Sequence, residues 1–125
     1  MVEINKQSAA GFCPVVRNGQ FLCAFISYAP QYTEGHIKEM KRHNDTDEVF
    51  VLLKGEATLY TKNNIDDEVE VLKLLPKTAY TVKASTWHHL AISRDAELFV
   101  TESGAIDPKN TDAADVSMQN IIAKA

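Results

Sequence analysis

The chain has 125 residues, a formal net charge of −4 and a pI near 5.5. That length makes one domain, 1–125, whose core buries roughly two-thirds of the surface an unfolded chain exposes, so no disulfide framework or structural metal is needed. The mixed, mildly acidic charge leaves no basic stripe for phosphates and excludes a general nucleic-acid binder, and no apolar run nears the ~20 residues of a membrane span.

Strand signals run from residue 12 to 102, as apolar or alternating stretches broken by turn chemistry. The first long run, 21–28, ends before Pro30; 36–43 alternates loosely, and 48–54 is apolar on both faces. Gly55 marks a bend into 56–62. Asn63 and Asn64 tolerate positive φ, and with Asp66 and Asp67 they form a loop. Residues 69–75 resume alternation before Pro76, and 80–84, 86–93 and 97–102 complete the set. Short strands at eight- to twelve-residue spacing with no helical pattern between them predict an all-β antiparallel barrel or sandwich. The barrel core is expected over about 12–102. In the extension 103–125, residues 116–123 have helix-compatible spacing, with Asp112 or Asp115 as cap.

Two segments, 21–26 and 49–53, are apolar on both faces, whereas an open antiparallel strand keeps one face wet. A second subunit is the expected cover, making the protein a homodimer. Cys13 and Cys23 are too few for a disulfide framework; Cys23 is a small buried hydrophobe by context. With no basic-then-apolar leader at the N-terminus, a cytoplasmic location is expected.

The candidate site starts from a cost. Glu48 heads the run Val49-Phe50-Val51-Leu52-Leu53, where a carboxylate needs a partner. His43 lies five residues earlier, ~17 Å away if the chain ran straight, so the two meet only if Asn44-Asp45-Thr46-Asp47 reverses it, as in a hairpin. Alternation puts Glu48, Phe50 and Leu52 on one face, and His88, Leu90 and Ile92 on one face of a later strand. Each polar group thus sits at the rim of an inward apolar row, and His43, Glu48 and His88 make a cluster suited to a metal ion or small ligand. Phe50, Leu52, Leu90 and Tyr60 are the expected pocket lining, with Tyr28 and Tyr32 near its mouth. Trp87 and His89 face the other way, as packing or dimer contacts. Each polar residue also has a plain reading: His43 a solvated loop residue, Glu48 a strand-edge acid, His88 a satisfied core histidine.

Residues 43–55 resemble the first motif of the cupin superfamily, His-x-His, three or four residues, Glu, six residues, Gly, from its second histidine onward. Residues 75–88 resemble the second motif, ending on His88, with Lys77, Lys83 and Ser85 where the family prefers Gly, Pro and Gly. The resemblance covers the central half of the chain. It implies a double-stranded β-helix, often dimeric, and one divalent metal, with His43, Glu48 and His88 as ligands. It departs at Lys41, which stands at the family's first histidine. Neither His36 nor His89 shares the required face by alternation, so two histidines and one carboxylate remain, a set that holds Zn, Ni, Mn or Fe with open positions.

Three functions follow as expectations. The first is an isomerase, lyase or dioxygenase acting on a polar small molecule, with the ion polarising an oxygen and Glu48 or His88 handling a proton. The second is a non-catalytic module that senses or sequesters such a ligand. The third is a metal-free isomerase with His88 as base and Lys41, paired with Glu48, stabilising developing negative charge.

Overall fold

The computed structural model describes residues 1–34 and 38–115; His36 and the helix expected at 116–123 lie outside them. Ten strands form among the described residues: β1 (Phe12–Arg17), β2 (Leu22–Ser27), β3 (Glu39–His43), β4 (Glu48–Lys54), β5 (Ala57–Lys62), β6 (Glu70–Lys73), β7 (Ala79–Val82), β8 (Trp87–Ile92), β9 (Glu97–Glu102) and β10 (Thr111–Asp115). They build two five-stranded antiparallel sheets in the orders β1-β2-β9-β4-β7 and β10-β3-β8-β5-β6. Consecutive strands such as β3 and β4, or β8 and β9, alternate between sheets, which gives the antiparallel two-sheet barrel expected from the strand spacing and the double-stranded β-helix that the resemblance implies. No described helix is long and apolar enough to cross a membrane.

Period-two alternation fills the space between the sheets. Leu22, Ala24 and Ile26 from β2, Phe50 and Leu52 from β4, and Leu98 and Val100 from β9 meet Ala57 and Leu59 from β5 and Leu90 and Ile92 from β8. Val49 and Val51, on the other face of β4, stay half-buried, and Leu53 is 48% exposed. Phe25 and Phe99 meet edge-on across β2 and β9, with ring centroids 5.7 Å apart, on that same outer face.

The chain covers the outside of the second sheet itself. Met40, Tyr60, Val69 and Trp87 form a buried outer cluster, with Ile65, Val71, Ala91 and Ala114 packed against it. The Arg42 guanidinium lies 4.5 Å from the Trp87 ring centroid and binds Asp112 on β10 at 2.9 Å. Asp112 therefore ties an edge strand to β3 rather than capping a helix, and Asp115 is likewise in that strand.

Gly55 bends the chain between β4 and β5 at φ +78°, where a Cβ would stand 2.6 Å from the Ala96 Cα, so only glycine fits. Lys77 and Ser85 adopt φ 57° and 68°. These are the two positions where the resembled motif carries glycine. The left-handed turns survive without it, each costing a side-chain-bearing residue about 1–2 kcal/mol.

Candidate metal centre

The segment Asn44–Asp47 is not a hairpin, because β3 pairs with β8 and β10 while β4 pairs with β7 and β9. It is an arch that carries the chain from one sheet to the other. Asn44 N donates to the Asn110 carbonyl at 2.8 Å, and Asn44 Nδ2 donates to Asp112. At the other end Asp47 accepts from the Ala84 N–H at 2.9 Å and pairs with Lys83 at 2.8 Å. Those hydrogen bonds and the Lys83 charge hold the Asp47 carboxyl below its usual range. The arch sets His43 opposite Glu48 across the barrel.

His88 joins them from β8. Its Nε2 lies 2.9 Å from Glu48 Oε1, and His43 Nε2 lies 3.4 Å from that same oxygen. The three donor atoms fall within 4.8 Å of one another, and Glu48 and His88 are buried. Bonds near 2.0–2.2 Å to one ion leave neighbouring donors about 3–3.5 Å apart, so the spacing suits a divalent metal. The imidazole orientation agrees. His88 Nδ1 sits 3.0 Å from the Thr86 carbonyl, which can only accept, so Nδ1 carries a proton, and Nε2, directed at Glu48 in the interior, is the nitrogen that would give up its proton to bind an ion. His43 Nδ1 is anchored to Thr111 Oγ1 at 2.9 Å.

A fourth group borders the cluster, and sequence reasoning missed it. Glu102, at the end of β9, is the direct cross-strand partner of Glu48. Its Oε2 lies 3.6 Å from His43 Nε2. Two acids from one sheet thus face two imidazoles from the other. The signal was present in the sequence: Leu98, Val100 and Glu102 form an inward row with a carboxylate at its end, the pattern that singled out Glu48.

The electrostatics are those of a site short of positive charge. Glu48 Oε1 and Glu102 Oε2 are buried without a well-aligned hydrogen-bond donor. Burial opposes the Glu48 charge, but the His43 and His88 imidazoles, close to the carboxylate though imperfectly aligned with it, outweigh burial through their N–H groups and their charge and hold the carboxyl at about 2. Burial likewise opposes a charged His88, but the hydrogen bond and charge of Glu48 prevail and raise its pKa. Glu102 goes the other way: burial, then the charge of Glu48, lift it to about 8 despite Arg17. Like charges directly opposed on neighbouring strands repel, so the pair retains a proton unless another cation takes its place.

The other expected site residues divide. Phe50, Leu52 and Leu90 lie in the interior rows as expected, packed into the core beneath the cluster, and Phe50 meets the His88 ring edge-on at 6.2 Å. Tyr60 does not line the interior. It pairs with His89 across β5 and β8, on the outer face, where its hydroxyl donates to Glu34 at 3.2 Å. Two-residue alternation from the inward Ala57 and Leu59 turns it outward. Lys41 shares the inward face of His43 and is the register partner of His88, but it is exposed and its ammonium is 3.8 Å from Glu39, not paired with Glu48. His89 points outward, with Nε2 3.0 Å from the Gln31 carbonyl and its ring near Tyr32. Tyr32 packs on the core, and burial and the charge of Glu48 raise its hydroxyl to about 12.

No family model and no curated protein matches this chain by sequence. Solved structures do match by shape. A single-residue variant of Streptomyces PAC13 with uridine superposes at TM-score 0.62 and 16% identity, covering 93% of this chain and 87% of that one. A cupin-2 domain containing protein from Shewanella frigidimarina gives 0.53 and 15%, covering 80% and 84%. A double mutant of the QdtA 3,4-ketoisomerase from Thermoanaerobacterium thermosaccharolyticum, in complex with TDP, gives 0.58 and 18%, covering 72% and 63%. At such identities the likeness speaks for architecture alone. On the facing sheets, the arch and these neighbours, the chain has the cupin fold.

Proposed function

We propose that the protein binds a divalent transition metal through His43, Glu48 and His88 and uses it to bind and transform a polar small molecule. One observation carries this reading: two imidazole nitrogens and a buried carboxylate oxygen converge within 4.8 Å at the end of an apolar barrel interior. Bound there, a Zn, Ni, Mn or Fe ion would polarise a carbonyl or hydroxyl oxygen of the ligand. The chain's own residues supply the rest. Phe50, Leu52 and Leu90 keep water from the floor, and the Thr86 and Thr111 contacts fix the two rings. His88 and Glu48 sit close enough to exchange a proton wherever one is not engaged as a ligand. An isomerase agrees best with this donor set beside a carboxyl that holds a proton near neutral pH; a lyase or a dioxygenase uses the same parts. Uridine and TDP in two of the structural neighbours support nucleoside-linked compounds as the first ligands to try.

The test is elemental analysis of protein purified without a metal-affinity tag, followed by calorimetric titration of the metal-free form. The expected result is close to one equivalent of ion per chain; less than about a tenth of an equivalent, with no heat on titration, defeats the proposal. A metal-free reading then takes over, with the Glu48 and Glu102 carboxyls as an acid–base pair in place of the expected His88 and Lys41, since Lys41 sits on Glu39 and not on Glu48. That second reading is favoured by the unequal proton affinities of the two acids.

A homodimer in the cytoplasm belongs to the same reading. The Phe25, Phe99, Val49, Val51 and Leu53 face would meet its copy, and the unpaired Cys13 and Cys23 suit a reducing compartment. Light scattering on the eluting protein is expected to give twice the 13.9 kDa chain mass. A Leu53→Lys variant should elute as a monomer; a monomeric wild type at micromolar concentration refutes the contact.

A further inference from the structure

The resembled motif supplies a third histidine at position 41, and this chain has a lysine there that turns to the rim and Glu39. A fourth potential donor nevertheless borders the three-residue cluster, on the opposite sheet. Glu102 is held by β9 directly across from Glu48, in line with the buried Leu98 and Val100. Its side chain is 5% exposed, and its Oε2 stands 3.6 Å from His43 Nε2. That oxygen is buried with no aligned donor, as is Glu48 Oε1. Two such oxygens, facing two imidazole nitrogens, are what a cation-binding cavity offers before the cation arrives.

We propose that Glu102 is the fourth protein ligand of the metal, so that a two-histidine, two-carboxylate set stands where the motif would place three histidines and one carboxylate. The inference rests on the metal reading above and concerns this chain's own replacement for the lost imidazole. The charge sum favours it. Two carboxylates cancel a divalent charge, whereas Glu48 alone would leave a buried net charge of +1 beside a low-dielectric core. Replacing a nitrogen by an oxygen also shifts the preference toward Mn and Fe and away from Cu and softer ions. A neutral filled site needs no anionic ligand to balance it, so the small molecule would enter through a carbonyl or hydroxyl group. The nearest alternative is a structural acid that only shares a proton with Glu48.

The experiment compares wild type, Glu102→Gln and Glu102→Asp, titrating Mn²⁺, Zn²⁺ and Co²⁺ into metal-free protein. The visible absorption of the Co²⁺ forms is recorded beside the affinities. Glu102→Gln is expected to weaken Mn²⁺ binding by at least about tenfold to a hundredfold and to shift the Co²⁺ bands, because one oxygen donor has left the ligand field. Glu102→Asp keeps the charge but retracts it by one methylene, and should fall between the two. A wild type that binds and a Glu102→Gln variant that binds equally well, with an unchanged Co²⁺ spectrum, overturn this assignment while leaving His43, Glu48 and His88 in place. A weakened affinity with an unchanged spectrum overturns it too, since loss of a nearby charge then suffices. A wild type that takes up no ion overturns both readings. Glutamine matches glutamate in volume, and melting of the metal-free variants confirms that each is folded.

Discussion

Exchanging Glu48 for glutamine is expected to lower divalent-metal affinity by at least about a hundredfold, the upper end of what even outer partners of a metal site contribute. The same change should leave the metal-free protein no less stable at pH 8. The first effect follows from position: Glu48 Oε1 lies between the two inward imidazole nitrogens, at 2.9 Å from His88 Nε2 and 3.4 Å from His43 Nε2. An amide oxygen there has the right size but no charge. The second effect follows from Glu102. In the metal-free protein at pH 8, two carboxyls crowd one buried volume, and the charge of Glu48 is among the forces resisting ionisation of Glu102. Glutamine removes that repulsion while its oxygen still accepts from an imidazole N–H. Calorimetry reads the affinity, and urea unfolding in the presence of a chelator reads the stability. Losing about 3 kcal/mol or more at pH 8 would mean that Glu48 is first a structural counter-ion for the histidines, since breaking a needed buried pair costs that much. Retained tight binding would remove Glu48 from the ligand set altogether.

The extent to which the sequence disclosed this arrangement depends on the range of each signal. Alternation is local, so the inward rows through Phe50, Leu52 and Leu90, and the outward turn of Trp87 and His89, were legible in single strands. Tyr60 was misplaced although the same alternation from Leu59 would have turned it outward. Sheet membership is not local. Asn44 to Asp47 is as rich in turn residues as any hairpin, and only the pairing of β3 with β8 and of β4 with β9 makes it an arch. The edge strand β10 carries too little apolar periodicity to announce itself; Arg42, Asn44 and Asp112 hold it by side-chain contacts between residues distant in sequence. Glu102 was missed for a related reason. Its row was visible, but its place beside Glu48 depends on an antiparallel register linking residues 48 and 102, which no motif encodes. At Lys77 and Ser85 the side chains depart from the resembled motif while the backbone keeps the positive φ that glycine would favour.

Metal-free protein is expected to be most stable near pH 5 and to lose stability steadily toward pH 8, the reverse of what saturating metal should produce. Glu102 drives the fall. Its folded value of about 8 lies above its ordinary 4.5, so between those limits the folded state keeps a proton that the unfolded chain has released. Stability then drops with rising pH by up to about 1.4 kcal/mol per unit over that window. His88 adds to the decline: its raised pKa gives a contribution complete below its ordinary 6.5 and lost as pH climbs through the folded value. Glu48 sets the acid limb. Held at about 2, it contributes stability that is present above 4.5 and lost as pH falls toward 2. Because the two carboxyls interact, they titrate as a pair that carries one proton from about pH 2 to about pH 8. A divalent ion on the four donors must displace that proton, so its affinity rises with pH and the folded state gains where the metal-free protein loses. Glu102→Gln should flatten the fall between pH 5 and 6.5, where His88 contributes little slope, and leave a shallower decline above it. Urea unfolding at half-unit intervals from pH 4 to 8.5, with chelator and then with Mn²⁺, measures both limbs. Stability in chelator that is level or rising between pH 5.5 and 8 would mean that Glu102 ionises freely in the folded protein. The two acids would then lack the strong mutual repulsion on which the need for a cation rests.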